Sequence, residues 1–244
     1  MDRLGIDIGG SGIKGAPVDV GAGTLSAERV RLPTPQPATP EAVLETVAEL
    51  VGRFNTGGPV GVTVPAAVQR GVVRTAANID PTWIEVDAVT RMTERLGRPV
   101  VVLNDADAAG IAEMRFGAGR GQTGTVMIVT LGTGIGTAIF VDGRLVPNLE
   151  LGHIEVRGRE AEARAAAIVR TQKSLTIEAW ARRVDEVLRT YERLVWPDLF
   201  IVGGGVSKQA RKFIDRFTTR APVVAAELRN NAGIVGAAVA ASEA

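Results

Sequence analysis

Two parts of this chain share one pattern of strands and turns, and that repetition constrains the fold more than any other feature. Each part contains three short runs with the alternation and β-branched residues of strands, joined by turns that are mostly rich in glycine. The runs are residues 3–8, 14–20 and 25–32 in the first part and residues 125–131, 137–141 and 144–146 in the second. The repetition predicts a chain built of two similar halves.

Strands and helical patterns alternate through the rest of the chain, which is typical of an α/β fold. Thr39-Pro40-Glu41 has the cap, the first-turn proline and the acidic residue of a helix start, and apolar residues then recur at helical spacing up to Phe54. The other predicted helices are residues 86–96, 106–116, 174–195 and 231–241, and the other strands are residues 60–64, 99–103, 199–202 and 223–225. We expect a small lobe of residues 1–104, on which a closing helix at residues 231–244 packs, and a large lobe of residues 105–230.

The composition excludes several classes of protein. Lys and Arg number 28 against 27 Asp and Glu, and this near-balance argues against a nucleic-acid-binding protein. Cysteine is absent and His153 is the single histidine, which excludes disulfides, thiol chemistry and zinc sites built on Cys or on several His. The most apolar windows are shorter than the roughly 20 residues of a membrane span, and the first residues do not resemble a signal peptide. We therefore expect a cytoplasmic protein without a membrane partner.

The first glycine-rich turn has the residues that a phosphate site needs. It reads Asp7-Ile8-Gly9-Gly10-Ser11-Gly12-Ile13-Lys14-Gly15. Backbone N–H groups of such a turn converge on an anion, Lys14 adds a positive charge, and Asp7 can hold Mg²⁺ directly or through water. The alternative is a tight hairpin whose turn Asp7 caps, but the Asp before the glycines and the Lys after them favour phosphate binding.

Two further glycine-rich segments are typical of phosphate or nucleotide binding. Thr130-Leu131-Gly132-Thr133-Gly134-Ile135-Gly136 joins two predicted strands, which excludes a dinucleotide-binding fingerprint, and the chain contains no P-loop sequence. Gly203-Gly204-Gly205 lies between a predicted strand and a helix start, where the backbone can approach a nucleotide closely. The alternative for both segments is a sharp turn that requires unusual backbone angles.

Polar residues with catalytic or sugar-binding chemistry occur at two other places. Asn104-Asp105 ends a buried strand, and Asp105 can accept the proton of a hydroxyl that attacks a phosphoryl group. The alternatives are a helix-capping role for Asp105 and Asp107 as the active carboxylate. Glu150-Leu151-Gly152-His153 offers hydrogen-bonding partners for sugar hydroxyls, although His153 could equally be a structural residue.

In this order, the segments resemble those of the ROK family (repressors, open reading frames, kinases). D-I-G-G-S-G-I-K-G resembles its first phosphate segment, L-N-D-A-D-A-A its catalytic segment, T-L-G-T-G-I-G its second phosphate segment, E-L-G-H its sugar motif and I-V-G-G-G-V-S its nucleotide segment. The resemblance extends from about residue 3 to residue 241. It implies the two-lobed α/β fold of the actin-like ATPases and sugar kinases, which is ribonuclease H-like and has a central cleft.

The resemblance also implies roles for individual residues. Asp105 is the general base, and Asp7 holds Mg²⁺. The sugar is bound by Pro65, Ala66, Asn78, Asn104, Glu150, His153 and Glu162, of which Glu162 is assigned by position alone. The donor is bound by Gly9, Gly10, Ser11, Gly12, Lys14, Thr130, Gly132, Thr133, Gly134, Gly203, Gly204 and Gly205. A homodimer is expected, for which the helix at residues 174–195 offers surface.

The chain departs from most ROK members in two ways. It lacks the Cys-rich zinc segment after E-x-G-H, so we expect no zinc, and no helix-turn-helix precedes its first strand, which argues against the repressor branch. The compact segment of residues 150–162 is similar to that of the polyphosphate-using glucokinases, including those that also use ATP or phosphorylate mannose.

A basic window favours the same donor. Residues 157–193 contain nine basic and six acidic residues, which suits a polyanion, although solvated helix faces would look alike. We expect phosphoryl transfer from polyphosphate, and also from ATP, to the 6-hydroxyl of glucose. Two alternatives remain: an ATP-only kinase for another hexose, and a sugar-sensing protein without catalysis.

Overall fold

A computed structural model describes the whole chain of 244 residues apart from the side chain of Lys208. The chain forms two compact units, one made of Met1–Ala112 and Asn231–Ala244 and the other of Glu113–Asn230. Each unit has its own mixed sheet and apolar core. The α/β fold predicted from the sequence is confirmed. The boundary between the units lies inside the helix that follows Asn104 instead of before it.

The first unit is built on a six-stranded sheet. The strands of this unit are β1 (Asp2–Gly9), β2 (Gly12–Asp19), β3 (Thr24–Leu25), β4 (Val30–Leu32), β5 (Val60–Val64), a small β6 (Val68–Gln69) and β7 (Val72–Val73) pair outside the main sheet, and β8 (Val100–Asn104). The order in the main sheet is β3-β2-β1-β5-β8, and β4 also pairs with β2. Strands β1 and β2 form an antiparallel hairpin, whereas β1, β5 and β8 are parallel. The helices are α1 (Pro40–Gly52), α2 (Ala88–Leu96), the first part of α3 (Asp105–Phe116) and the final helix of the chain at Ala232–Ser242.

The second unit has a five-stranded sheet. The strands of this unit are β9 (Thr125–Leu131), β10 (Ile135–Val141), β11 (Arg144–Val146), a small β12 (Glu155–Val156) and β13 (Arg159–Glu160) pair outside the main sheet, β14 (Leu199–Gly203) and β15 (Val223–Ala225). The order in the main sheet is β11-β10-β9-β14-β15, and its first strands form the same antiparallel hairpin pattern as in the first unit, as the repetition predicts. The helices of the second unit are α4 (Ala161–Ala165), α5 (Ala167–Gln172) and α6 (Ile177–Val195), and the final helix of the first unit, Ala232–Ser242, is α7.

Local sequence explains where the principal helices begin and which faces they bury. The hydroxyl of Thr39 accepts a bond from the N–H of Ala42, and α1 then buries Val43, Val47 and Leu50. Helix α6 starts at a Thr176 cap and ends where Trp196 adopts a left-handed φ of 51°. Helix α7 is apolar on all sides because it packs closely on β1 and β5. A Cβ at Gly5 or Gly61 would overlap its backbone.

The predicted strand at residues 25–32 is wrong, because two short strands, β3 and β4, occupy it. Both pair with β2, where Val18 faces Leu25 and Gly15 faces Val30. The two pairs are three positions apart on β2 but five positions apart on the segment that contains β3 and β4. The residues between Leu25 and Val30 therefore bend away from β2. The segment after Gly204 also differs from the prediction, since it forms a 3₁₀ helix at Gly205–Lys212.

Among the residues that the structure describes, no helix combines the length and the apolar character that crossing a membrane requires.

Candidate active site

The turn between β1 and β2 is held by side chains from outside the hairpin. Gly9 and Gly12 face each other at its end. Its carbonyl groups accept short bonds, 2.5 Å from the hydroxyl of Thr34 to Gly9 O and 2.5 Å from Arg31 Nη2 to Ser11 O. Arg31 therefore places a second positive charge at this turn. Arg31 was not among the residues predicted from the sequence. The pairing of β4 with β2 places it opposite Lys14.

Asp7 lies in a network of charged and polar groups at the carboxyl end of β1. Its Oδ2 is 3.3 Å from Lys14 Nζ, and its Oδ1 accepts a 3.0 Å bond from the hydroxyl of Thr63 on β5. These bonds follow from the strand register, in which Asp7 faces both Lys14 and Thr63. A Cβ at Gly233 would lie 3.1 Å from Asp7 Oδ1, so this glycine leaves the carboxylate room. The bonds of Asp7 go to side chains rather than to amides of the turn.

Asn104, not Asp105, makes the principal cap of helix α3. Asn104 Oδ1 accepts bonds from the N–H groups of Ala106 at 2.8 Å and Asp107 at 3.1 Å. Asp105 Oδ1 accepts a local 2.8 Å bond from Ala106 N. The amide of Asn104 also donates to Ala66 O at 3.1 Å, and Asn104 is buried. Asp105 is half-buried at the carboxyl end of β8, where a ligand-binding residue is expected.

A pocket in the first unit joins the turn of residues 9–12, which is predicted to bind phosphate and is called the phosphate turn below, to Pro65 and Asn78, which are predicted to bind the sugar. It has a volume of about 300 Å³, within the range typical of small-molecule sites. The lining residues are Ile8, Gly9, Gly10, Thr34, Gln36, Pro37, Ala38, Pro65, Ala77, Asn78, Ile79 and Asp80. Four of the predicted site residues thus meet in one cavity. Ala66 is buried and does not line the pocket, and the indole of Trp83 donates at 2.9 Å to the carbonyl oxygen of Ala38, a lining residue.

In the second unit, the glycine-rich turn between β9 and β10 is bonded to the helices that follow it. Gly132 O accepts a 3.1 Å bond from the N–H of Ile168. The N–H of Ile135, at the other end of the turn, donates to Glu162 Oε2 at 3.3 Å. The turn closes on itself through a 3.0 Å bond from Gly132 N to Gly134 O. Glu162, which is predicted to bind the sugar, therefore lies beside the turn that is predicted to bind the donor.

The triple-glycine segment lies beside the same turn. Gly203, the last residue of β14, faces Thr130 in the parallel register of β9. Gly204 has φ 82°, and a Cβ there would overlap the backbone of Leu131. Backbone conformation and close packing thus explain why this residue is a glycine. At this position they support the alternative of a sharp turn over a role in nucleotide binding. The structure nevertheless brings together Thr130–Gly134 and Gly203–Gly205, the two segments predicted to bind the donor in this unit.

The turn that carries Glu150 and His153 is clamped by two buried hydroxyl groups. Thr137 Oγ1 donates a 2.5 Å bond to Leu149 O and accepts a 3.1 Å bond from Leu151 N. Tyr191 OH, from α6, donates a 2.9 Å bond to Leu151 O. Thr137 is 2% exposed and Tyr191 is fully buried. Sequence reasoning missed both residues, because nothing in the local pattern links them to this turn.

Burial and charge act on Glu150 within this turn. Desolvation raises the pKa of Glu150, the negative charge of Glu162 raises it further, and His153 opposes both. His153 Nε2 lies 3.9 Å from Glu150 Oε2, and its Nδ1 lies 3.6 Å from Glu160 Oε1. Among the described residues, His153, Glu160 and Glu162 offer ligand atoms within 4.8 Å of one another. This group could hold a metal ion.

The basic window contains one shared ion pair. Arg157 Nη2 lies 3.0 Å from Glu186 Oε1, and Arg164 bonds to the other oxygen of the same carboxylate. The side chain of Arg157 is 70% exposed, whereas that of Arg164 is 19% exposed. One carboxylate therefore offsets two guanidinium groups, which leaves one positive charge here.

Comparisons with known proteins identify the family. The family model described as "ROK family" matches residues 3–166. The chain is 53% identical over 238 residues to the polyphosphate glucokinase of Mycobacterium tuberculosis (strain CDC 1551 / Oshkosh), covering 97% of this chain and 90% of that protein. The chain belongs to the ROK family.

Two solved structures agree with this assignment. The crystal structure of the inorganic polyphosphate/ATP-glucomannokinase from Arthrobacter sp. strain KM matches with a TM-score of 0.96 and 51% identity, covering 99% of this chain and 98% of that one. A ROK family glucokinase from Streptomyces griseus, solved with glucose and AMPPNP, matches with a TM-score of 0.84 and 27% identity over the whole of both chains. The fold is thus that of ROK sugar kinases.

Proposed function

We propose that this protein is a glucokinase that transfers a phosphoryl group from inorganic polyphosphate, and also from ATP, to the 6-hydroxyl of glucose. The observation that carries the proposal is the pocket of the first unit, in which Gly9 and Gly10 of the phosphate turn meet Pro65 and Asn78 of the sugar segment. A kinase must bind acceptor and donor next to each other. The likeness to polyphosphate glucokinase and to polyphosphate/ATP-glucomannokinase supports the choice of glucose and of both donors.

Asp105 is the proposed general base. Its carboxylate takes the proton of the 6-hydroxyl as this oxygen attacks the terminal phosphorus of the donor. The new bond joins O6 to phosphorus, and the bond from phosphorus to the bridging oxygen breaks. The products are glucose 6-phosphate and either ADP or a polyphosphate shortened by one phosphate, and the proton then passes from Asp105 to water. The capping of α3 by Asn104 supports this role, because the helix start does not rely on Asp105 alone.

The donor is bound, in this proposal, by the glycine-rich turns and by positive charges. The proposed residues are Gly9, Gly10, Ser11, Gly12, Lys14, Thr130, Gly132, Thr133, Gly134, Gly203, Gly204 and Gly205. We add Arg31 because it binds Ser11 O. Asp7 suits Mg²⁺, since it offers carboxylate oxygens beside the hydroxyl of Thr63 and faces Gly233, which has no side chain. When bound, Mg²⁺ offsets the negative charge of the donor.

The residues that orient the sugar in this proposal are those that the family resemblance implies. They are Pro65, Ala66, Asn78, Asn104, Glu150, His153 and Glu162. Ionised carboxylates accept strong hydrogen bonds from sugar hydroxyls, and His153 adds a donor or an acceptor. Because Asn104 is buried and already bonded at both ends of its amide, its contribution is to fix the position of Asp105 as much as to contact the sugar.

A coupled assay tests the proposal directly. The purified chain is incubated with glucose and Mg²⁺, and with polyphosphate or ATP at equal concentrations of transferable phosphate, and glucose 6-phosphate is measured. Mannose and fructose serve as parallel acceptors. Product from both donors supports the proposal, and product from ATP alone shows that the donor assignment is wrong. If neither donor gives product with any hexose, the kinase function itself is wrong and a non-catalytic sugar sensor is favoured.

A homodimer is proposed as the working form. The support is the family expectation together with Leu194 and Trp196 at the end of α6, whose exposures of 65% and 64% are high for apolar residues. Sedimentation equilibrium distinguishes the dimer from a monomer of 25.6 kDa.

A further inference from the structure

Two arginines meet at the N-terminal ends of the strands in the first unit. Arg3 lies near the start of β1, and Arg98 lies just before β8. Both contact the turn before β5. Arg98 Nε donates to Gly58 O at 2.7 Å and its Nη1 donates to Thr56 O at 2.8 Å. The guanidinium of Arg3 covers Gly58, where a Cβ would lie only 3.2 Å from its Cζ.

The described residues supply no carboxylate for this pair of cations. None of the ion pairs within 4.0 Å involves Arg3 or Arg98, although the nearby Arg91 and Arg95 pair with Glu41 and Glu45. Partial burial and the positive charge of Arg3 together lower the pKa of Arg98. Two like charges thus lie side by side in a partly desolvated place, which costs free energy unless a negative charge joins them.

Unsatisfied polar atoms concentrate at the same corner. Arg3 Nε, Arg98 Nη2 and Thr56 Oγ1 are buried and have no hydrogen-bond partner, and they are three of only seven such side-chain atoms among the described residues. Two of the three are cationic N–H donors, so the missing partner must be an acceptor. A buried donor without an acceptor is costly and therefore calls for an explanation.

We propose that Arg3, Thr56 and Arg98 form a binding site for a phosphate-type oxyanion. A tetrahedral oxyanion can offer one oxygen to Arg3 Nε, a second to Arg98 Nη2 and a third to the hydroxyl of Thr56. It also supplies the negative charge that the pair lacks. Orthophosphate and a phosphoryl group of a polyphosphate chain share this chemistry. The Arg3 side chain is held by a single bond from Nη1 to Asp2 O, so it can move to admit the ion.

The site is separate from the phosphate turn. Arg3 and Arg98 lie at the starts of parallel strands, whereas Asp7 and Asn104 lie near the ends of the same strands, β1 and β8. Five residues of β5 separate the two edges, which is roughly 16 Å at the rise of a β-strand. An ion bound here joins the starts of β1 and β8 to the turn before β5, so binding is expected to stabilise the folded chain.

Equilibrium dialysis with radiolabelled orthophosphate tests the proposal. The wild-type chain should bind one more phosphate per chain than Arg3→Gln, and Arg98→Gln should behave like Arg3→Gln. Arg53→Gln is the matched control, because Arg53 is an arginine of the same unit that pairs with Glu49. Thermal unfolding gives a second readout. Without phosphate, Arg3→Gln should be at least as stable as the wild type because the repulsion is removed. Added phosphate should stabilise the wild type and Arg53→Gln more than it stabilises Arg3→Gln.

Further measurements distinguish orthophosphate from polyphosphate as the bound anion and define the results that would overturn the proposal. Tripolyphosphate that binds where orthophosphate does not would support the site and assign it to polyphosphate. An equal number of phosphates bound by the wild type and Arg3→Gln overturns the proposal, and so does an equal stabilisation by chloride at the same ionic strength. If Arg98→Gln does not fold because Gly58 O and Thr56 O lose their donor, Arg3→Gln decides the outcome.

Discussion

The carboxylate of Glu162 accepts a 3.3 Å hydrogen bond from the backbone N–H of Ile135. This bond connects a residue proposed for the sugar with the end of the glycine-rich turn proposed for the donor. Gly152 makes a second connection, since a Cβ there would overlap the carbonyl oxygen of Ile135. The segments proposed for the acceptor and for the donor in the second unit therefore both contact the backbone of Ile135. The order of the turn that carries Glu150 and His153 should consequently affect catalysis as well as binding.

Replacing the hydroxyl that clamps this turn should weaken glucose binding. Thr137→Val removes the bonds to Leu149 O and Leu151 N and leaves these partly buried backbone groups without that partner, at a cost of about 1–3 kcal/mol. We expect the KM for glucose to rise about tenfold, and the KM for ATP to change less. Thr137→Ser should restore binding. Thr190→Val is the control, since the Thr190 hydroxyl donates to Glu186 O and accepts from Arg193 Nη2, both within α6. If the valine variant binds glucose normally, Thr137 does not position the turn.

Replacing Asp105 should nearly abolish turnover. Loss of a general base removes a contribution of roughly 10²–10⁴-fold, whereas Asn keeps the shape and the local bond to Ala106 N. We expect Asp105→Asn to lose that factor in kcat while glucose binding stays within about tenfold. Asp107→Asn tests the competing carboxylate. Near-normal turnover of Asp105→Asn would reduce Asp105 to a structural residue.

The Asp105 site illustrates what the sequence could predict. A carboxylate that follows a buried strand must lie at the carboxyl edge of a parallel sheet, so Asn104 and Asp105 were placed from the chain alone. The hairpin turns that carry Lys14 and Gly132 were also predictable, because their glycines and flanking strands are local signals. The sequence could not predict which of Asn104 and Asp105 caps the helix, since both residue types are good helix caps. Only the hydrogen bonds of the structure assign the main cap to Asn104.

Long-range pairing explains what the sequence could not predict. Arg31 reaches the phosphate turn because β4 aligns it with Lys14, and the bend after Leu25 that sets this register has no clear local signal. Tyr191 reaches Leu151, which lies 40 positions earlier in the chain. Such contacts depend on how elements pack, and their residues look like ordinary core positions in the sequence.

The raised pKa of Glu150 gives a pH dependence with a defined sign. Burial favours its protonated form when folded, so the unfolded chain loses this proton at lower pH than the folded chain. Its contribution to stability is complete below the ordinary value of 4.5 and is lost as pH rises through the raised folded value. Glu150→Gln should therefore gain stability relative to the wild type as pH rises from acid to neutral, in urea unfolding at each pH. A constant difference would contradict this.

Zinc removal should leave the protein folded and active. The chain has no cysteine, and the group of His153, Glu160 and Glu162 offers a single imidazole and otherwise carboxylates. Structural zinc sites usually combine four Cys and His ligands, so we expect chelation to leave the melting temperature unchanged, with activity restored by Mg²⁺ alone. One zinc per chain that survives dialysis, and unfolding when it is removed, would show that this group is a structural metal site.

Salt should weaken the use of polyphosphate more than that of ATP. A long polyanion contacts several cations at once, and each neutralised phosphate releases counterions, by the logic established for nucleic acids. Arg157 is the best test residue, because it is exposed and Glu186 offsets only one of the charges of Arg157 and Arg164. Arg157→Glu and Arg159→Glu should raise the KM for long polyphosphate and lower the slope of log KM against log salt by about one. Arg164→Glu should act in the same direction, but its burial adds a loss of stability.

The control and the comparison with ATP decide whether this basic surface is a donor path. Arg53→Glu changes the charge of the first unit equally and should leave the KM for polyphosphate unchanged. The KM for ATP should rise little with salt in every variant, because ATP is short and depends more on the shape of the Gly203–Gly205 segment. If Arg157→Glu and Arg53→Glu have the same effect, residues 157–193 are solvated helix faces and the polyphosphate chain takes another path. If the wild type transfers no phosphoryl group from long polyphosphate while ATP works well, the donor assignment is wrong and the hexokinase function remains.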